Sequence, residues 1–302
     1  MIEPPPFAER TTEIEFQDGN AIGRFFAMGC PCEVLIESAD RDLSERVVAT
    51  VRDEAWRIEQ KWSRYLSGSV VSEVNRRAGE VVTVDDETVQ MIDFATRIFE
   101  LSEGAFDITS GVLQKVWRFD GSDNVPSTSE VDAIMSHIGW HRVHWQQPQI
   151  RLEPGMQLDF GGIGKEYAVD RSIELIRDVE QAVLVNFGGD LACTRAPENS
   201  QGWLVGVDGH PGFRADRPAI RLRRGAIATS GDTYRFVHRG KVRYSHVLDA
   251  RTGWPVIGAP SSVTVMADTC TTAGMLTTLA LTHGSEAETF LVEQEVDHVV
   301  EW

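Results

Sequence analysis

The sequence has no apolar run long enough to span a membrane, no run of Lys or Arg, and only four cysteines in 302 residues. A spanning helix needs about 20 consecutive apolar residues, so no membrane span is expected. With no basic cluster and a formal net charge of −17, the surface repels phosphate backbones, and nucleic acid is not an expected partner. The opening Met1-Ile2-Glu3-Pro4-Pro5-Pro6 lacks the basic start and apolar core of a signal peptide, so a cytoplasmic location is expected. Cys30 and Cys32 are too close for an easy disulfide and have no second cluster to complete a soft-metal site, while Cys193 and Cys270 stand alone. Buried reduced thiols are the expectation.

Two nucleotide motifs are also missing. Walker A would need a Gly where Asp159 stands and a hydroxyl where Glu166 stands, and the Gly-x-Gly-x-x-Gly spacing is absent. What is present is Asp159-Phe160-Gly161-Gly162-Ile163-Gly164-Lys165-Glu166-Tyr167-Ala168-Val169-Asp170. A strand-like run from Met156 to Phe160 leads into three glycines within four positions, and a helical pattern follows through Ala168, Ser172, Leu175 and Ile176. Glycines let backbone approach a ligand, and a helix N-terminus offers free N–H groups to phosphate. The same residues also suit a plain strand-to-helix turn with a surface Lys.

Around this turn the chain reads in order. Residues 1–12 form a loose Pro-rich arm, and strands are expected over Arg24–Met28 and Glu33–Ile36. Leu43, Val47, Val51, Ala55, Ile58 and Trp62 recur at helical spacing from Asp42 to Trp62, and a second helix covers Glu87–Leu101. A helix through Val112, Leu113, Val116 and Trp117 is expected, then one capped by Ser127 or Ser129 and running to Ile138. Strands follow near 142–145 and 149–152, and then at Ala182–Phe187, Trp203–Val207, Ala219–Leu222, Ala226–Ala228 and Ser261–Met266. Phe236–Tyr244 reads as a hairpin with Arg-Gly at its tip, and helices cover Thr271–His283 and Ser285–Gln294. Successive strands with single intervening helices point to an α+β fold.

His246, Asp249 and Arg251 lie within six residues. They can supply a proton acceptor, its orienting carboxylate and an anion clamp. From the residues alone, a turn whose Asp caps backbone N–H groups is the stronger reading. A Ser245-His246-Asp249 triad is disfavoured because it is too local and no Gly-x-Ser-x-Gly elbow exists. His137, His141 and His144 straddle Gly139-Trp140, which spoils a common metal-binding face.

Taken in order, these segments resemble the ApbE flavin transferase family (FAD:protein FMN transferases). The resemblance spans roughly residues 24–284, through Met28-Gly29, Ser72–Asn75, Gly104–Thr109, Asp159–Asp170, Asn186–Asp190, Thr229–Asp232 and His246–Gly253. It implies a two-lobed α+β architecture of the T-fold kind, mainly antiparallel, with FAD between the lobes. A flexible arm would cover 1–20 and the ApbE-like domain 21–302. The implied reaction moves FMN from FAD to a Ser or Thr hydroxyl of a target flavoprotein, with release of AMP and use of Mg²⁺. The implied flavin contacts fall on Met28, Tyr65, Ala105, Phe106, Asp107, Asp159, Lys165 and His246, with His246 and Asp249 as the catalytic pair. Metal contacts fall on the Gly162 carbonyl and on Thr278. The chain departs from the family where a metal-binding Asp is replaced by Gly274, and again where Glu166 stands in place of a usual Gly. Asp268 is the candidate substitute ligand, and Gly274→Asp is expected to raise Mg²⁺ affinity. An FAD pyrophosphatase, or an FAD-binding module with a decayed metal site, are the alternative functions.

Overall fold

Two hairpin turns set the register of the main sheet. Strands β1 (Glu13–Gln17), β2 (Asn20–Ala27) and β3 (Cys30–Ile36) form an antiparallel meander. The computed structural model describes residues 10–198, 200–206, 219–231, 236–240 and 242–302. Within the 1–20 arm expected to be flexible, Glu13–Gln17 pairs with β2 as an edge strand. Ile14 and Phe16 pack on the core, which is why this stretch joins the sheet. At the β2–β3 turn Met28 and Gly29 both take positive φ, 49° and 74°, the conformation of a tight two-residue hairpin.

Helix α1 (Arg41–Trp62) starts at Asp40, whose carboxylate accepts from Leu43 N at 3.0 Å. Val47, Val51, Ala55, Ile58 and Trp62 are buried, as their spacing requires. Helix α2 (Val70–Arg76) is capped by Ser69. Strand β4 (Val82–Thr83) and helix α3 (Asp86–Leu101) follow. Residues Ser110–Lys115 form a 3₁₀ turn rather than the expected α-helix, and α4 (Thr128–Met135) begins with a Ser127–Glu130 capping box. Strands β5 (His144–Gln146) and β6 (Gln149–Arg151) make a small sheet with β4.

The run Met156–Phe160 enters no sheet. Its backbone bonds go elsewhere: the Asn75 amide donates to Leu158 O (3.0 Å) and accepts from Leu158 N (2.6 Å), and Asp159 N donates to Ile108 O (2.8 Å). A side chain thus takes the place of a partner strand.

Helix α5 (Gly164–Leu175) precedes β7 (Val183–Phe187), β8 (Asp190–Cys193), the hairpin β9 (Trp203–Gly206) and β10 (Ala219–Leu222), and β11 (Gly225–Gly231). Two small hairpins, β12 (Phe236–Arg239) with β13 (Val242–Ser245) and β14 (Leu248–Asp249) with β15 (Trp254–Pro255), come next. The chain ends with β16 (Ser262–Ala267), α6 (Cys270–Thr282), α7 (Ala287–Glu293) and β17 (His298–Glu301). Val207 and Lys241, expected in strand and hairpin, lie outside the described residues.

Among the described residues, the main sheet has eight strands in the order β1-β2-β3-β7-β8-β11-β16-β17, antiparallel throughout. Helices α1, α5 and α6 bury one face. On the other face Leu35, Leu184, Leu191 and Ile227 pack with Trp203, Val205 and Leu222 of β9–β10. A separate cluster, built on Val112, Leu113, Trp117 and Val237, joins the 3₁₀ turn, α4 and the two small hairpins. The fold is α+β with mainly antiparallel sheets. No helix among the described residues is long and apolar enough to cross a membrane. All four cysteines are free thiols, with Cys32, Cys193 and Cys270 buried.

Candidate active site

A cavity of about 780 Å³ opens where the sheet, the start of α5 and the smaller cluster meet. Two glycine-rich hairpin tips build one rim. Met28-Gly29 and Gly188-Gly189, φ 63° and 101°, lie side by side because β3 pairs with β7. Asn186 holds the second tip by accepting from Gly189 N at 2.9 Å. Met28 N donates to Glu59 Oε2 at 2.9 Å, and Arg10 grips the same carboxylate at 2.6 and 3.0 Å. A non-glycine residue in left-handed conformation is thereby held at the cavity mouth.

Gly161, Gly162, Lys165 and Glu166 also line the cavity. The N-cap of α5 is Ile163, which has no capping side-chain bond; Ile163 N and Gly164 N donate to Phe160 O at 3.0 and 2.9 Å, which leaves the N–H groups of Lys165 and Glu166 as the first-turn groups outside that bond pair. Asp159 anchors this turn from behind. It accepts from Gly161 N at 2.8 Å, Arg64 Nη1 at 2.9 Å and Gln114 Nε2 at 3.3 Å. Lys165 donates to Asp190, whose side chain is 3% exposed and whose other oxygen accepts from Thr229 N at 3.3 Å. Asp190 raises the Lys165 pKa, against the opposing effect of burial. Burial pushes the Glu166 carboxyl up to about 8, reinforced by Asp190 and opposed by Lys165.

Of the residues singled out from sequence, Met28, Ala105, Phe106, Gly162, Lys165, His246 and Thr278 are brought together on the cavity wall. Others are not. Asp107 is buried and accepts from Thr109 N, Thr109 Oγ1 and Trp140 N, each at 2.7 Å, so it ties its own loop to the turn at Trp140. Tyr65 is 70% exposed, with its hydroxyl donating to Gln114 at 2.9 Å. Both oxygens of Asp249 are taken by Arg251, Nε at 2.9 and 3.2 Å and Nη2 at 2.7 Å, and Arg251 N donates to it at 2.9 Å. Asp249 thus takes the turn-capping arrangement in place of the expected pairing with His246, with the guanidinium fork of Arg251 as its charge-assisted partner. Asp268 is exposed and follows the last residue of β16, while Ser262 and Thr264 of that strand line the cavity. It is about 13 Å along the strand from Thr264 at 3.3 Å per residue. Asp232 lies outside the described residues.

The model of the ApbE family matches residues 28–300. This chain belongs to the ApbE family. Curated ApbE relatives include the FAD:protein FMN transferase of Vibrio cholerae, 28% identical over 237 residues, covering 76% of this chain and 71% of that protein. That of Escherichia coli K12 is 25% identical, covering 97% and 85%. Among solved structures, the ApbE protein of Thermotoga maritima superposes with a TM-score of 0.81 at 29% identity, covering 97% of this chain and 94% of that one.

Within this ApbE fold, two residues with no assigned role at the sequence level organise the site. Asp190 is the countercharge of Lys165. Asp170 accepts from Cys270 N (2.7 Å), Thr271 N (2.9 Å) and Thr271 Oγ1 (2.7 Å), so α5 caps α6. A carboxylate in Gly-Gly-Asp at the start of a strand was the available signal for Asp190. Nothing local marks Asp170.

Proposed function

We propose that this chain is an FAD:protein FMN transferase, moving FMN from FAD to a Ser or Thr hydroxyl of a target flavoprotein and releasing AMP. The observation that carries this is the cavity itself, in an ApbE fold whose curated relatives bear that name. It has room for a dinucleotide, and a helix start with no side-chain cap, two glycines and Lys165 converge on its wall.

Phosphoryl transfer asks for charge neutralisation at the pyrophosphate, an aligned hydroxyl and a group to take its proton. The N–H groups of the α5 start and the ammonium of Lys165 provide the first. Met28 and Phe106, both on the cavity wall, supply apolar surface for the flavin. His246 is the proposed proton acceptor, held edge-on to Phe119 with ring centroids 6.2 Å apart. Asp249 and Arg251 fix the turn that carries it, and Asp159 positions the glycine turn rather than touching substrate.

Among the described residues no group of three or more His, Cys, Asp or Glu side chains is arranged to hold a metal. A mixed site nevertheless fits Mg²⁺, which is commonly held by one or two carboxylates with substrate phosphates and water. Glu166, Thr278 and the Gly162 carbonyl all border the cavity, and Glu166 Oε2 has no hydrogen-bond partner. Bound there, Mg²⁺ would offset charge developing on the pyrophosphate oxygens.

The test is incubation with FAD, Mg²⁺ and a protein domain bearing an acceptor Ser/Thr, following AMP release and the acceptor's intact mass together. An acceptor mass gain equal to FMN, matched by AMP, is expected. AMP without labelling would assign a pyrophosphatase instead, and bound FAD with no AMP would assign a binding module.

A further inference from the structure

Helices α5 and α6 run antiparallel in a register that Asp170 establishes by capping Cys270 and Thr271. One turn back along α5 from Asp170 is Glu166, and one turn forward along α6 from Cys270 is Gly274. Four residues further on lie Gly162, in the turn just before α5, and Thr278 on α6, both on the cavity wall. Glu166 therefore faces Gly274, and it shares the cavity wall with the two other oxygen donors.

The contact is close. A Cβ built on Gly274 would stand 2.6 Å from Glu166 Cγ and 2.9 Å from Glu166 Oε1. The Glu166 side chain thus fills the volume that a side chain on residue 274 would need. The residue is 7% exposed, borders the cavity, and its Oε2 has no hydrogen-bond partner. A buried carboxyl oxygen without a hydrogen-bond partner is costly, and a hard cation bound by the ionised form would satisfy it.

We propose that Glu166 is the carboxylate ligand of the divalent cation, delivered from α5 into the space that Gly274 leaves on α6. The two departures noted in the sequence, Glu166 and Gly274, are then one exchange: the carboxylate changes helix and keeps its place. The proposal rests on the FMN-transfer reading only for the identity of the nucleotide beside the cation. It also reverses the expectation for Gly274→Asp alone. With Glu166 filling the space, that substitution crowds the site and does not raise metal affinity.

Mn²⁺ serves as the probe, titrated by electron paramagnetic resonance with and without FAD, while FAD affinity in chelator is read by flavin fluorescence. Glu166→Gln should weaken Mn²⁺ binding by about tenfold or more, since loss of supporting groups alone costs 10–100-fold. FAD binding in chelator should persist, as the check that the variant keeps its fold. The double variant Glu166→Gly/Gly274→Asp, which returns the carboxylate to α6, should recover most of the lost Mn²⁺ affinity. Unaltered Mn²⁺ affinity in Glu166→Gln overturns the proposal. So does a double variant that still binds FAD but holds Mn²⁺ no better than Glu166→Gln, whatever the single variant does to the helix start. If the unaltered protein does not bind FAD, the FMN-transfer reading fails, and the Mn²⁺ titration without FAD still decides the ligand.

Discussion

Replacing Lys165 by Met should cost more folding stability than a surface lysine can account for. The Asp190 carboxylate is 3% exposed and keeps a single other bond, the 3.3 Å contact from Thr229 N. Without the ammonium it is an uncompensated buried charge, with the Glu166 carboxyl as an unfavourable neighbour. Breaking a buried pair from one side costs about 3–5 kcal/mol. The 28% exposure of the Lys165 side chain gives water some access, which puts the expected loss at the lower end, about 3 kcal/mol. Asp190→Asn alone leaves a lysine that can turn toward solvent and should cost about 1–2 kcal/mol. The double variant has neither charge, so its loss should be well below the sum, with a coupling of about 2 kcal/mol or more. Urea denaturation followed by circular dichroism measures all four proteins. A loss below about 1 kcal/mol for Lys165→Met, or strict additivity in the double variant, would refute the buried-pair reasoning.

Two further outcomes follow from packing and charge. Gly→Ala inside a helix normally gains about 1 kcal/mol, but at Gly274 the new methyl meets Glu166 Cγ at 2.6 Å. Gly274→Ala should therefore lose about 1–3 kcal/mol in the unaltered protein and become stabilising in a Glu166→Gly background. Stabilisation in both backgrounds by chemical denaturation would show that Glu166 does not occupy the space. Glu87 accepts from Arg57 (2.8 and 2.7 Å), Lys61 (2.6 Å) and Tyr167 (2.8 Å), tying α3 to α1 and α5. Arg57 foremost, with Lys61 and Tyr167, holds its pKa well below the usual carboxylate range. A lowered pKa contributes stability that is complete above the unfolded value, about 4.3, and fades as pH falls toward the folded one. Glu87→Gln should cost about 1–2 kcal/mol at pH 7 after allowance for solvent screening. The deficit should shrink by pH 3.5, and an equal deficit at both pH values would contradict the charge assignment.

Local chemistry made much of this protein legible from residues alone. The Asp42–Trp62 periodicity, the Ser127 cap and the glycine-rich turns each act within a few positions, so sequence neighbours decide them. The ordered motifs likewise pointed to the family whose model matches residues 28–300. Where the decisive partner is distant, sequence was silent. Met156–Phe160 has strand-like residues, yet the Asn75 side chain takes its backbone bonds and keeps it out of the sheet. Asp107 turned to Trp140 N, 33 residues away, as well as to Thr109, because side-chain direction depends on the folded backbone. The meeting of Glu166 with Gly274 is the clearest case. Each residue alone looks like a loss from the family pattern. Only the antiparallel packing of α5 on α6, registered by Asp170, shows that the carboxylate of one fills the space of the other.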